Sequence, residues 1–349
     1  MKKLLSLLVC LAMLAALCAC GSTAGTDKTA ETEAPAQTAS ETAAETTAET
    51  GETAADGKTF TVGICQLTQH VALDAATQGF IDVLTEELGD SVTIVNQNAS
   101  GDIPTCATIV NGFVSDGVDL ILANATPALQ AAAAATDDIP ILGTAVTEYG
   151  VALDLTDFDG TVGGNISGTS DLAPLDQQAA MITELFPEAK TAGILYCSAE
   201  ANSVYQAEVV KAALEQAGLT VNIYTFADSN DVSSVTAVAC DESDVIYIPT
   251  DNTAASCAEA INNVAEPAGV PIVAGEEGIC TGCGVATLSI DYYELGRTTG
   301  AMAVRILRDG EDISTMPIEY FPDPVKEYNA AICESLGVTV PDDYVAIGE

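Results

Sequence analysis

The chain is poor in positive charge. Its 349 residues hold 10 Lys and Arg against 51 Asp and Glu, a formal net charge of −41. Phosphate backbones and anionic head groups are repelled by such a surface, which argues against nucleic acid as a partner. Histidine is scarcer still: His70 is the single one. A Ser-His-Asp triad would therefore have one possible base, and a multi-histidine metal site cannot be assembled. Tryptophan is absent, which removes the ring most used to stack against sugars. What is present is 48% apolar content, enough to bury a sizeable core, on a length that suggests two domains of roughly 150 residues each.

The first residues read as a delivery signal. Met1-Lys2-Lys3 is a short basic start, and Leu4 to Leu17 is an apolar run of fourteen, too short to cross about 30 Å of hydrocarbon. Leu17-Cys18-Ala19-Cys20-Gly21 resembles the lipobox at which bacterial lipoproteins are cut and acylated. Residues 1–19 are thus expected to be a signal peptide, and Cys20 the lipidated mature N-terminus, anchoring an exported protein to the outer face of the cell membrane. Residues 21–57 contain no Leu, Ile, Val, Met or aromatic residue and cannot offset their ordering entropy, so residues 20–57 are expected to be a solvated acidic tether. From Lys58 onward there remain 43 acids and 7 bases, a net −36 once the 8 acids and 3 lysines before it are subtracted.

From Thr59 the chain alternates apolar β-rich runs with longer helical stretches, the pattern of parallel sheets covered on both faces. The strings repeat in order: Val62-Gly63-Ile64 is matched by Ala192-Gly193-Ile194, Leu120 to Ala123 by Val245 to Ile248, and Ile139-Pro140-Ile141 by Val270-Pro271-Ile272. Two α/β lobes of one Rossmann-like topology are expected, 58–168 plus 290–318 and 169–289 plus 319–349. Chain crossings near 165–170, 289–291 and 317–322 would act as a hinge.

Open parallel sheets bind ligands beyond the carboxyl ends of their strands, where helices begin. Two such lobes face to face make a cleft, and nothing in it calls for bond making, so no catalytic residue, metal or cofactor is expected. Candidate ligand-binding residues are Gln66 and His70 after the first strand, Asn98 after the second, and Thr126 at a Thr-Pro helix start. In the second half they are Ser198, Glu200, Asn202 and Ser203, then Asp251, Asn252 and Asp291. Hydroxyl, amide and backbone N–H groups suit a ligand carboxylate, and Asp251, Asp291 or Glu200 would suit an ammonium. Asp251 and Asp291 are equally well placed as plain helix caps, and Tyr205, Tyr292 and Tyr293 could stack on an aromatic side chain or simply pack.

Val62 to Leu67, His70 to Ala76, Ser198 to Gln206, Pro249 to Thr253 and Ile290 to Arg297 resemble the ABC transporter substrate-binding lipoproteins of the TrpX-like family, over residues 59 to about 340. The resemblance implies a type I periplasmic-binding-protein fold and an ABC permease and ATPase as partners. It also implies a small amino-acid ligand, aromatic and tryptophan-like. The chain departs from the family in reading Val71 where proline is usual. Rival readings are a nucleoside or sugar receptor of the same fold, a sensor subunit, and a redox protein built on Cys280-Thr281-Gly282-Cys283. That CxxC is expected in a Gly-rich turn between strands, as a structural loop rather than a redox pair.

Overall fold

The structure, a computed structural model, describes residues 58 to 348 apart from residue 322. The signal sequence, Cys20 and the tether lie outside the described residues.

The first lobe comprises β1 (Phe60–Gln66), α1 (Val71–Leu88), β2 (Val92–Asn98), α2 (Ile103–Asp116), β3 (Leu120–Asn124), α3 (Thr126–Ala135), β4 (Ile141–Val146), the single turn α4 (Tyr149–Ala152) and β5 (Ile166–Ser170). The chain then crosses to α5 (Leu175–Leu185), β6 (Thr191–Cys197), α6 (Ala201–Gln216), β7 (Thr220–Phe226), α7 (Val232–Glu242), β8 (Val245–Ile248), α8 (Asn252–Ser256), α9 (Ala258–Ala268), β9 (Ile272–Ala274), α10 (Glu277–Cys283) and β10 (Ala286–Ser289). It returns with α11 (Tyr292–Leu307) and β11 (Glu319–Tyr320), then leaves again for β12 (Val325–Tyr328), α12 (Ala330–Leu336) and β13 (Val345–Ala346).

One sheet runs β11-β5-β4-β3-β1-β2 and the other β13-β12-β10-β9-β8-β6-β7. Strands β1 to β5 and β6 to β10 are therefore ordered alike, which is the duplication that the repeated strings imply. Among the strand pairs of the second sheet only β10 with β12 is antiparallel. Every residue of β3 is buried, as a sheet with two covered faces requires. On one face Val62, Ile64, Leu120 and Leu142 pack with Phe80 and Leu84 of α1 and Met302 of α11. On the other, Cys65, Ile121 and Ile141 pack with Cys106 and Phe113 of α2 and Leu129 of α3.

Three details differ from the sequence reading. The Gly-rich passage through residue 168 ends in a strand, and β5 pairs with β11 through Thr169 and Ser170. The first sheet therefore keeps residues 169–170 and 319–320, and the crossings fall after Ser170, between Ser289 and Tyr292, and after Tyr320. The helical stretch after β8 is two helices, α8 and α9, broken at Cys257, where the sequence pattern of alternating strands and long helices suggests one. The CxxC lies in helix α10 rather than in a turn, with Cys280 and Cys283 both buried and all eight described cysteines free.

Candidate functional site

Strand ends and helix starts from both lobes converge between the sheets, and the polar residues there are buried to an unusual degree. Thr126, Thr147, Asp171, Glu200, Asn202, Ser203, Asp251, Asn252 and Glu276 are each no more than 7% exposed. A cavity of about 140 Å³ lies between the lobes, lined by Thr68, Gly101 and Ile103 on one side and by Glu200, Asn252 and Thr253 on the other. Larger open grooves lie elsewhere, against α11.

A hydrogen-bonded path runs through the buried residues. His70 Nε2 meets Asn252 Oδ1 across the lobes at 3.2 Å. Asn252 Nδ2 donates to Glu200 Oε2 at 2.7 Å, and Asn202 Nδ2 donates to the Thr250 carbonyl at 2.9 Å. Separately, the Tyr292 hydroxyl donates to Asp171 Oδ2 at 3.0 Å, while the Thr250 hydroxyl donates to the Gly275 carbonyl. Since the amide nitrogen of Asn252 is spent on Glu200, its oxygen faces His70, and the imidazole must be the donor through Nε2–H. Burial holds the His70 pKa below its usual value, so the ring is neutral and its Nδ1 is an acceptor.

Three buried acceptors among these residues have no partner: His70 Nδ1, Asp171 Oδ1 and Asn202 Oδ1. A buried polar atom left unmatched costs on the order of 1–3 kcal/mol, so the site asks for a molecule rich in donors. A fourth unmatched acceptor, Asn124 Oδ1, belongs to a neighbouring network in which Asn124 Nδ2 donates to Thr77 and to the Leu73 carbonyl.

The carboxyls feel the same burial. Loss of water pushes Asp171 up to about 6, against the pull of its bond with Tyr292. Glu276 is raised to about 7 by burial, although the Gly278 and Ile279 N–H groups hold it as a cap on α10. Burial and the neighbouring Glu200 carry Asp251 up to about 8.

Donors for an anion are present too, all of them neutral. α1, α3 and α6 begin with no side-chain cap, whereas α8, α10 and α11 are capped by Asp251, Glu276 and Asp291. Ala125, just before α3, has φ of +90°, a conformation that costs a residue with a Cβ about 1–3 kcal/mol. It is held by Ala125 N–H donating to Thr144 O and Leu129 N–H donating to Ala125 O. Strain of this kind, at the uncapped start of a 10-residue helix, is what presenting N–H groups to a ligand carboxylate would require.

Of the residues singled out from sequence, His70, Glu200, Asn202, Ser203, Asp251 and Asn252 come together on this path, with Thr126 at the facing helix start. Others have different employment. Gln66 is buried but is spent on Thr68, Asp74 and Thr77. Asn98 Oδ1 accepts from Ser100 N, and exposed Ser198 donates to the Phe226 carbonyl. Asp291 is exposed and caps α11 through Glu294 N. Asp251 caps α8 and also accepts from Cys197 N, while Glu200 takes Asn252 and Thr253. Neither carboxylate has a free oxygen, which leaves Asp171 as the buried carboxylate among these residues with an unmatched atom. Asp171 and Glu276 were not among the expected residues; Glu276 lies two residues beyond β9, where the strand-end rule would have found it, whereas Asp171 follows β5, a strand the sequence does not reveal.

Two lobes of like topology with a buried polar seam between them define a ligand-binding protein of the periplasmic-binding type. Residues 61–347 match the model of the family described as ABC transporter substrate binding protein, and the chain belongs to that family, which is extracytoplasmic and is one of binding proteins rather than enzymes. It is 37% identical to a tyrosine-binding protein of Clostridioides difficile (strain R20291) over 75% of this chain and 76% of that one. A crystal structure of an ABC domain from Streptococcus pneumonia in complex with L-Trp is 35% identical, covers 82% of this chain and 97% of its own, and superposes with a TM-score of 0.78. A ligand-free, open structure of a substrate binding protein with adhesive properties from Clostridium difficile is 37% identical over 82% and 99% of the two chains, yet its TM-score is 0.62. Among the described residues no helix is long and apolar enough to cross a membrane.

Proposed function

We propose that this chain is the solute receptor of an ABC importer. It is exported, held to the outer face of the membrane through lipid on Cys20, and captures a free aromatic amino acid between its lobes by hinge closure. The observation that carries the reading is the set of unmatched buried acceptors at His70, Asp171 and Asn202, together with the α1, α3 and α6 starts, whose N–H groups have no side-chain cap. An ammonium satisfies the first and a carboxylate the second. The tyrosine-binding relative and the tryptophan complex support the aromatic side chain. His70 bonding Asn252 across the gap would latch the closed form, which the permease and ATPase partners recognise.

Thermal unfolding against a panel of amino acids, nucleosides and sugars tests the reading. A ligand at 100 times its dissociation constant adds about 2.7 kcal/mol, which for a body of this size raises Tm by about 5–10 °C. Tryptophan or tyrosine is expected to give that rise. A rise with nucleosides or sugars alone would place the chain among the other receptors of this fold.

A further inference from the structure

We infer that the cleft also takes aromatic monoamines, the decarboxylated relatives of the aromatic amino acids, because its charged groups serve the amine end of the ligand alone. The inference rests on the amino-acid reading above and goes beyond it in ligand class.

The argument is one of charge. Asp171, Glu200, Asp251 and Glu276 are all within 3% of full burial, and no Lys or Arg is among the buried polar residues. Arg297 and Arg305 lie on α11 and Arg308 directly after it, paired with Glu86, Glu319 and Glu87 respectively. Lys211 and Lys326 pair with surface carboxylates, and Lys58 and Lys190 are exposed. A ligand carboxylate therefore meets only neutral donors, the N–H groups that open α3 and α6 and hydroxyls such as that of Thr126, with four carboxyl groups close by. An ammonium brings N–H donors and a positive charge to buried residues that include unmatched acceptors at His70, Asn202 and Asp171 and no Lys or Arg. Removing the carboxylate gives up modest neutral contacts. Removing the ammonium leaves the buried acceptors unmatched and brings a carboxylate with no counter-charge to residues among which no Lys or Arg is buried.

Isothermal titration of the purified protein at pH 7 with two matched series tests this: tryptophan, tryptamine and indole-3-propionate; tyrosine, tyramine and 3-(4-hydroxyphenyl)propionate. In the series whose amino acid binds, the amine is expected within about 30-fold of the amino acid and the acid more than about 300-fold weaker. An acid that binds as well as the amine, or an amine that fails where its amino acid binds, overturns the inference and leaves the proposed function standing. Failure of amino acids and amines together sinks both. Asp171→Asn is expected to weaken amino acid and amine by the same factor, about 100-fold, at unchanged circular dichroism; a loss confined to the amino acid would again overturn it.

Discussion

Asp171 occupies the point where the chain first leaves one sheet for the other, and its position explains its chemistry. Ser170 completes β5, Tyr292 arrives from the second crossing to donate to one carboxylate oxygen, and the other oxygen is sealed in without a partner. Burial raises the group from 3.8 to about 6. A folded-state pKa above the unfolded one means that the native protein holds a proton which the unfolded chain gives up between about pH 4 and pH 6. The stabilisation is present in full below pH 4 and is lost as pH rises through 6; two pKa units correspond to about 2–3 kcal/mol. Glu276 and Asp251, raised to about 7 and about 8, extend the same trend towards pH 8. Urea unfolding of the ligand-free protein should therefore show stability falling from pH 4 to pH 8. Relief of general repulsion at low pH has the same sign, so Asp171→Asn is the discriminating comparison: its curve should be flatter than wild type between pH 4 and 6. Parallel curves would mean that Asp171 is ionised in the native protein throughout.

At the scale of elements, α1 and α11 form the closest helix pair of the first lobe, and glycine permits it. A Cβ on Gly296 would lie 2.0 Å from the Ala76 carbonyl oxygen, one on Gly79 2.1 Å from the Tyr293 carbonyl. Backbone cannot yield as a flexible side chain can. Gly→Ala in an open helix stabilises by up to about 1 kcal/mol, and Gly112 of α2, with no atom within 4 Å of a built Cβ, should follow that rule. Gly296→Ala should instead lose about 2–3 kcal/mol through overpacking. Opposite signs in urea midpoints are the expected result; two stabilising alanines would show that the helices can part without cost. Sequence reading fares unevenly at this scale for physical reasons. The strands β1, β3, β6 and β8 are legible because a sheet covered on both faces demands continuous apolar runs. β5 is not, because its Ile166-Ser167-Gly168-Thr169-Ser170 is buried yet polar, and its hydroxyls are satisfied by partners distant in sequence such as Thr299 and the Met316 carbonyl. Helix α10 hides for a different reason, since Gly278 and Gly282 mark turns by composition while the Glu276 carboxylate caps the helix over them. The candidate site shares this unevenness. His70, Asn202 and Asn252 stand in strings at strand ends and could be singled out, but whether a carboxylate is free or already spent as a cap, the distinction between Asp171 and Asp251, is decided by tertiary partners alone.

For the whole molecule the governing quantity is the net −36 carried by residues from Lys58 onward. Seven bases cannot neutralise 43 acids, and the ion pairs that do form, such as Arg308 with Glu87 and Lys211 with Glu215, lie at exposed positions where each contributes about 0–1 kcal/mol. Screening acts on both terms but unequally. It weakens a handful of short attractions slightly, and it suppresses a long-range repulsion summed over every pair of carboxylates. Moving from 10 mM to 150 mM NaCl shortens the Debye length from about 30 Å to about 8 Å, less than the width of either lobe. The compact state, which concentrates the charge that the unfolded chain spreads out, gains from that change. The Tm of the ligand-free protein is therefore expected to rise with NaCl over this range. A fall would mean that the α11 arginine pairs contribute more than their exposure allows, and would move the electrostatic centre of the protein from its overall charge to one helix.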